Sequence, residues 1–410
     1  MRRPPIYYGW IVLAAGFIIM LLGYAVRNTF TVFYPVIVDD FGWARGNTAI
    51  MYSLTMLCYG LVAPIAGSLV DRFSPRVVLS IGGLIVGGSI ALCGLATEMW
   101  HFYVLYGVMV AIGLSLIGFT PLSTILTHWF AHRKGLVFGL LASGFGVSLV
   151  SAPVFQHLIS TYGWRLAYAI IGGTATAIII PLCIAFLRRS PDQYGPRVED
   201  SGHSENAVAG SKDWTLRAAL KTRTFKLFLL IAFCNMGFSQ QIMVAHQVYF
   251  LRDIGLEPMV AASVFSVFGI GFVVGTASSG ISDRLGRHRV FVPGSFIASA
   301  SVFILFMAEA NQSVALATAF AIVAGFTLGI TPPTCFAAVA DCFHGRHYGT
   351  IQGTMILSNA LGGALGPWLG GFLHDVTGSY HSVLIVVQIL IAGAGVVMWF
   401  IKPRAGKTPR

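Results

Sequence analysis

The sequence predicts an all-α polytopic membrane protein with twelve transmembrane helices in two pseudo-symmetric six-helix bundles. The first reason is composition: charged residues make up 10% of the 410 residues, against roughly 25% in a typical soluble domain, and apolar residues make up 56%. The second reason is a set of landmarks that recurs in both halves of the chain. A soluble protein is excluded, and so is a transmembrane barrel, because the apolar runs are continuous and do not alternate with polar residues.

Each predicted helix is an apolar run that can cross a hydrocarbon layer about 30 Å thick, which takes about 20 residues at 1.5 Å of rise each. The predicted spans are residues 9–36, 47–70, 77–97, 101–129, 134–160, 165–188, 222–251, 258–281, 289–308, 312–340, 346–374 and 380–402. Residues 190–224 contain the one extended polar segment. They are predicted to be a cytoplasmic linker between an amino-terminal bundle, 1–189, and a carboxy-terminal bundle, 225–410.

Landmarks of the first half recur in the second at a near-constant separation of about 213 residues, which is typical of secondary transporters built from parallel repeats. The matched pairs are Asp40 with Asp253, Asp71-Arg72 with Asp283-Arg284, Arg133 with Arg346, and Pro153 with Pro367. Two similarly folded bundles should therefore lie side by side.

The basic residues predict the orientation of the chain. With twelve spans and a cytoplasmic amino terminus, the 26 Lys and Arg residues all lie on the cytoplasmic side except Arg27 inside a span and Arg45, Arg165 and Arg252 on the opposite side. This distribution follows the positive-inside rule, so the net charge of +11 does not indicate a nucleic-acid partner. We expect a multi-pass protein of the cytoplasmic (inner) membrane, surrounded by lipid, with both termini in the cytoplasm.

Enzymatic chemistry has no support in the sequence. The six cysteines are scattered without metal-ligand spacing, and no serine nucleophile motif or glycine-rich phosphate loop is present. We expect no cofactor, no metal and no enzymatic activity, and we expect the protein to act as a monomer.

Arg27 is the sharpest candidate for a binding residue. It lies near the middle of the first span, where an arginine costs about 2.5 kcal/mol or more unless it faces water or a partner. All acidic residues fall in loops or at helix ends, so the missing partner would be an anionic ligand, which a guanidinium grips through two parallel hydrogen bonds. The alternative is that the helix ends earlier and Arg27 extends its head group to the outer interface.

The repeat places Gln240 and Gln241 opposite Arg27 and Asn28, so four polar side chains should meet at a central cavity. His246 lies further along the seventh span and could bind a symported proton, because histidine titrates near neutral pH. A neutral histidine bonded within the bundle, or near the outer interface, is the alternative.

Three further candidates lie at mid-membrane depth: Tyr24, Phe119 and Asn359. Each of them alone is more often a packing residue than a ligand contact.

Two loop segments carry a resemblance to a known family. The segments from Gly67 to Arg76 and from Gly280 to Arg287 resemble the GxxxDRxGR loop motif of the major facilitator superfamily, although both copies are imperfect. The resemblance implies the twelve-helix fold and alternating access. The charged motif residues, expected to latch the bundles together in one access state, are Asp71, Arg72, Arg76, Asp283, Arg284 and Arg287. A solvated turn that only fixes topology is the alternative.

Within the superfamily, the helix start Tyr8-Gly9-Trp10 and the segment from Trp129 to Gly146 resemble the monocarboxylate transporter and oxalate–formate exchanger group. The resemblance implies a carboxylate substrate. Those relatives bind it with an arginine on the eighth helix, and the matching position here is Gly275. Some carry a lysine late in the first helix, which aligns with Asn28 or its neighbour, beside Arg27.

The main functional hypothesis is a secondary active transporter for a small organic anion, in particular a monocarboxylate. Its coupling is left open among anion exchange, uniport and proton symport. The alternative is a polyspecific drug or metabolite exporter of the same fold, whose pocket would use the aromatic residues that make up 13% of the chain. Ala152-Pro153 resembles part of the glycine-proline motif of such exporters. Arg27 separates the two hypotheses, because an exporter of cations has little use for a buried positive charge.

Overall fold

The computed structural model describes residues 8–130, 134–187, 214–343 and 348–401, and the secondary structure in these ranges is helical. Twelve long helices follow one another along the chain. The first six are α1 Tyr8–Phe41, α2 Arg45–Arg72, α3 Pro75–Cys93, α4 Met99–Phe102 to Phe119–Trp129, α5 134–162 and α6 164–186. The last six are α7 Arg223–Asp253, α8 Pro258–Ser278, α9 Arg287–Asn311, α10 Val314–Cys342, α11 Tyr348–Thr377 and α12 His381–Ile401.

The apolar content of these helices agrees with twelve spans. Within the described ranges, nine helical stretches are long and apolar enough to cross a membrane. One of them, Val137–Phe186, is 50 residues long and contains both α5 and α6, which are separated where Gly163 adopts φ of +75°. The helices α2 and α11, of 28 and 30 residues, complete the set. The predicted fold class is confirmed.

Several predicted spans ended too early. α1 was predicted to end at residue 36 and continues to Phe41, and α11 continues to Thr377. At 1.5 Å per residue a helix of 34 residues is about 50 Å long, more than a bilayer core needs. The helices extend past the apolar run because backbone hydrogen bonding continues after the side chains become polar.

Wide helical turns and a break shape two of the helices. α4 contains a π-helical segment, Tyr103–Val110, and α7 contains another, Ala232–Ser239, directly before Gln240. α4 is also interrupted at Gly118, whose ψ of −164° is not helical, so that Phe119 begins a new helical segment. Such π segments are frequently found at functional sites.

The helices form two bundles, α1–α6 and α7–α12, that meet along a broad interface. On the amino-terminal side the interface is formed by α1, α2 and α5, and on the carboxy-terminal side by α7, α8 and α11. α2 and α11 approach closely: a Cβ on Gly371 would lie 2.8 Å from the backbone of Arg45. We call the membrane side where α6 ends and α7 begins the linker side, and the other the far side.

Most of the predicted linker, residues 190–224, lies outside the described residues. Its last part contains a short helix, Leu216–Lys221, capped by the Thr215 side chain, which accepts a hydrogen bond from the amide of Ala218. Thr222 caps α7 in the same way, through the amide of Phe225.

Candidate functional site

A cavity of about 310 Å³ lies between the two bundles. Its walls are largely apolar, and methionine and aromatic side chains form much of them. The predicted site residues that line it are Tyr24, Arg27, Phe119, Gln240, Gln241 and Asn359. The cavity extends to the linker side, since Gln352 in the second turn of α11 and Phe336 in the last part of α10 also line it.

Arg27 marks the inner end of this cavity. Its side chain is 4% exposed. Nη2 donates hydrogen bonds to the hydroxyl of Tyr52, at 3.0 Å, and to Oε1 of Gln241, at 3.2 Å. Nε is buried without a partner, and no described residue accepts a hydrogen bond from Nη1. The guanidinium therefore has unused donors at a ligand-sized space.

Aromatic rings surround the guanidinium in place of a counter-ion. Its carbon lies 5.3 Å from the ring centroid of Tyr24, 5.5 Å from that of Tyr52 and 5.4 Å from that of Phe145. These cation–π contacts stabilise the charge partly, by about 0.5–2 kcal/mol each. Among the described residues that line the cavity, none is acidic and Arg27 is the only cation. The local charge of the site is therefore positive.

Gln241 joins the two bundles at the level of Arg27. Its Oε1 accepts hydrogen bonds from Arg27 and from the hydroxyl of Tyr52, at 2.8 Å, both of which belong to the amino-terminal bundle. The repeat predicted that the amides of α7 would meet Arg27, and the structure shows that Gln241 forms the direct contact. The side chain of Gln240 lines the cavity and forms no hydrogen bond with a described residue.

Two predicted site residues do not line the cavity. Asn28 points toward α5, where its Nδ2 donates to Oγ of Ser148 at 2.8 Å. His246 lies between α7, α11 and α12, with Nε2 2.8 Å from the carbonyl oxygen of Pro367 and Nδ1 3.0 Å from the hydroxyl of Tyr380. Because a carbonyl only accepts, Nε2 carries the proton, and a neutral ring then accepts from Tyr380 at Nδ1.

The structure explains why Gly275 cannot take the place of the arginine that the relatives carry on the eighth helix. A Cβ at this position would lie 2.1 Å from the carbonyl oxygen of Phe326, so Gly275 packs against α10 and its side-chain direction does not lead into the cavity. Thr276, the next residue, lines the cavity, as do Phe272 and Val273. An arginine cannot be accommodated at position 275 without moving α10. The first-helix arginine is accordingly the charged residue of this site.

Five polar residues of the site were not among the predicted site residues: Tyr52, Tyr59, Ser143, Thr276 and Gln352. Their hydroxyl and amide groups are common in membrane helices, where they usually bond to backbone. Ser143 does so with Leu140, and Thr276 with Gly329. To predict them, it would have been necessary to know which face of each helix is directed toward the cavity.

The loop-motif residues on the linker side interact within their own bundles. Arg76 donates to the carbonyl of Leu187 at 2.8 Å, and Arg287 pairs with Asp283 and, at 2.9 Å, with Asp341. Arg72 and Arg284 are exposed. The side chain of Asp71 lies outside the described part of the chain.

The far side of the interface is closed by contacts between the bundles. Arg45 forms an ion pair with Asp253, whose Oδ1 is 3.1 Å from Nη2, and Arg252 pairs with Asp39 at 3.0 Å. Asp375 accepts hydrogen bonds from the backbone amides of Arg45 and Gly46. The cavity is thus sealed on the far side and extends to the linker side.

Comparisons with known proteins agree with this architecture. A family model described as the Major Facilitator Superfamily matches residues 16–281 and 247–410. Similar sequences include monocarboxylate transporter 13 of Rattus norvegicus, 29% identical over 95% of this chain and 88% of the relative. An uncharacterized MFS-type transporter of Bacillus subtilis (strain 168) is 24% identical over 96% of this chain and 94% of its own.

Solved structures share the fold. A bacterial homologue of the human lysosomal transporter Spinster, in an inward-facing and occupied conformation, matches with a TM-score of 0.73 and 17% identity, covering 98% of this chain and 96% of the other. The loop motifs, the repeat, the twelve helices and these matches agree. The chain belongs to the major facilitator superfamily, a family of transporters rather than enzymes, and it resembles the monocarboxylate transporters.

Proposed function

We propose that the protein carries a small organic anion, specifically a monocarboxylate, across the cytoplasmic membrane by alternating access. Arg27 carries this proposal: it is a buried cation with unused donors, it lies in a cavity between two pseudo-symmetric bundles, and no described lining residue is acidic. A carboxylate supplies the missing negative charge and matches the planar donors of a guanidinium. The similarity to monocarboxylate transporters supports the same substrate class.

The proposed binding step rearranges the hydrogen bonds where the two bundles meet. The two guanidinium edges that present parallel N–H groups both include Nη2, because Cδ blocks the third edge. Nη2 is held by Tyr52 and Gln241, so a carboxylate that binds through two parallel bonds displaces one of them. Gln241 still accepts from Tyr52 after that exchange. Substrate binding therefore acts on the point where the two bundles meet.

We further propose that the linker side is cytoplasmic, since nearly all Lys and Arg residues lie there. The described cavity is then reached from the cytoplasm. Coupling is proposed to be anion exchange or proton symport, with the proton carried by the substrate or by His246. Since the described lining residues include no carboxylate, the cavity walls offer no acidic proton site of their own.

Counterflow in proteoliposomes tests the proposal without knowledge of the coupling ion. Liposomes that contain the purified protein are loaded with unlabelled acid, and uptake of labelled pentanoate is measured. The competitors are mono- and dicarboxylates, neutral amino acids and lipophilic cations. Competition confined to carboxylic acids supports the proposal. Exchange of a labelled lipophilic cation in the same format, with no exchange of any labelled acid, overturns it.

The second candidate is a polyspecific exporter of the same fold. The observation that favours it is the apolar lining of the cavity, in which Met20, Met56 and Met236 lie beside aromatic side chains. Methionine adapts to varied ligand shapes, as promiscuous sites require. The same counterflow experiment decides between the two, because an exporter of lipophilic cations would ignore carboxylates.

A further inference from the structure

The cavity has a second polar level, displaced from Arg27 toward the linker side. A Cβ on Gly363 of α11 would lie 3.1 Å from Cγ of Gln241, which is the partner of Arg27. Asn359 lies one helical turn before Gly363, and a Cβ on Gly237 would be 2.4 Å from its carbonyl oxygen. Gly237 in turn lies one turn before Gln241 on α7.

The displacement follows from α11. Four residues of α-helix correspond to about 6 Å at 1.5 Å of rise per residue, so Asn359 precedes Gly363 by about 6 Å along α11, in the direction of the linker side. The contact of Gly237 with Asn359 gives the same direction on α7, where Gly237 belongs to the π-helical segment. Between and around the two levels the lining is apolar, from Met56, Met236 and Phe272.

The side-chain amide of Asn359 forms no hydrogen bond with any residue that the structure describes. Its Oδ1 is buried and unbonded, and the described residues supply no partner for Nδ2. An amide oxygen left without a donor in a buried site costs about 1–3 kcal/mol, which a hydrogen bond from a ligand removes. Rotation about the last side-chain bond lets the same amide present a donor or an acceptor.

The Asn359 level carries an amide and no charge. Among the described residues that line the cavity, none is acidic and Arg27 is the only cation. A second carboxylate placed there would be desolvated without a counter-ion, which is strongly unfavourable.

We propose that the cavity selects acids with one carboxylate, an apolar spacer and a neutral hydrogen-bonding group about 6 Å from the carboxylate, and that Asn359 recognises that neutral group. This inference rests on the proposed transport of a carboxylate at Arg27. It makes Asn359 a specificity-determining residue, and it makes dicarboxylates of the same length poor substrates.

Five-carbon acids of matched length test the selection. In the counterflow assay with labelled pentanoate, the competitors are 5-hydroxypentanoate, glutaramate and glutarate. Their terminal groups are respectively a hydroxyl, an amide and a second carboxylate. The wild-type protein should be inhibited at about tenfold lower concentrations by the first two than by glutarate, because a buried hydrogen bond is gained and no charge is buried unpaired. It should also prefer 5-hydroxypentanoate to unlabelled pentanoate.

Two substitutions assign the selection to Asn359. Asn359→Leu should abolish the preference for 5-hydroxypentanoate over pentanoate while exchange of pentanoate persists. Asn359→Lys should raise the relative affinity for glutarate, because it places a cation at the second level. Asn47→Leu makes the same chemical change at the exposed start of α2 and should alter no ranking.

The outcomes separate this inference from the proposed function. Exchange that requires Arg27 but ranks glutarate equal to 5-hydroxypentanoate, or keeps its ranking in Asn359→Leu, overturns the inference and leaves the proposed function standing. Failure of every acid to exchange in the wild-type protein overturns both.

Discussion

The two ends of the interface between the bundles are held in different ways. On the far side, ion pairs such as Arg45 with Asp253 cross from one bundle to the other. On the linker side, Arg287 pairs with Asp341 in its own bundle, and Arg76 bonds to a backbone carbonyl of its own bundle. Among the described residues, no ion pair crosses between the bundles on the linker side.

The comparison shows where the working part of the molecule lies. Among the described residues, the hydrogen bonds that Gln241 accepts from Arg27 and Tyr52 are the last cross-bundle hydrogen bonds before the cavity begins. On the far side of this point the two bundles are packed together, and on its linker side the cavity separates them. A ligand at Arg27 thus sits at the boundary between a closed and an open half of the interface, where it can influence both.

Removing the charge at this boundary should have the largest effect. Arg27→Gln should lower carboxylate counterflow by about 100-fold or more, because truncating one member of a buried charged pair typically costs about 2–5 kcal/mol. Arg27→Lys keeps the charge and loses the planar donors, so it should retain partial activity. Initial rates are compared at equal amounts of reconstituted protein.

Arg165→Gln is the matched control for this substitution. Arg165 is half-exposed on the far side, away from the cavity, and should be replaceable with little loss of transport. Unchanged kinetics in Arg27→Gln would remove the arginine from the substrate site.

The next effect should come from opening the closed end. Asp253→Asn breaks the pair with Arg45, and the population of molecules that are open on the far side should rise several-fold, since partly exposed ion pairs contribute about 0–1 kcal/mol. Spin labels at Thr97 and Asn311, which are exposed on the far side of the two bundles, report the change as longer electron–electron distances.

The repeat supplies a control for this change. Asp40 is the equivalent of Asp253 in the amino-terminal bundle, but it interacts with Trp164 and Arg165 of its own bundle. Asp40→Asn should leave the distances unchanged. Equal distance distributions in both variants would show that the Arg45–Asp253 pair does not hold the far side closed.

The fold was predictable because the sequence patterns that indicate it extend over many residues. Each span is a continuous apolar run, and the repeat of Asp71-Arg72 as Asp283-Arg284 ties the two halves together regardless of local errors. Helix ends were less accurate, as at Phe41, because hydropathy reports where the side chains become polar and not where the backbone leaves the helix.

The site was predictable only in part. A sequence indicates how deep a residue lies in the membrane more readily than it indicates which way its side chain points. Arg27 and Gln241 were found from depth and from the repeat. Asn28 and His246 lie at suitable positions along their helices but on other faces: five residues at 100° each place His246 about 140° around α7 from Gln241. Gly275 shows the same limit, because it packs against α10 while Thr276 lines the cavity.

Substitutions in the loop motifs should have a smaller effect, on turnover alone. If the motif stabilises one access state, as the sequence predicts, Asp71→Asn and Asp283→Asn should slow transport by a factor of about 3–10 with little change in substrate affinity. The described motif residues do not line the cavity. Maximal rates and KM values for counterflow separate the two effects. Glu257→Gln, at an exposed acidic position on the far side, serves as the control. A large loss of affinity would contradict the gating role.

Replacing His246 should have the smallest effect of the four changes. The ring is hydrogen-bonded at both nitrogens, to Pro367 and Tyr380, and it does not line the cavity. His246→Gln can keep a donor to Pro367 and an acceptor for Tyr380, so the transport rate should stay within about twofold of the wild type. The rate is measured across a pH series. If the coupling proton passes through His246, the pH dependence of uptake should flatten in His246→Gln while exchange of one anion for another stays intact. That result would place the coupling proton on the closed side of the interface, separate from the carboxylate at Arg27.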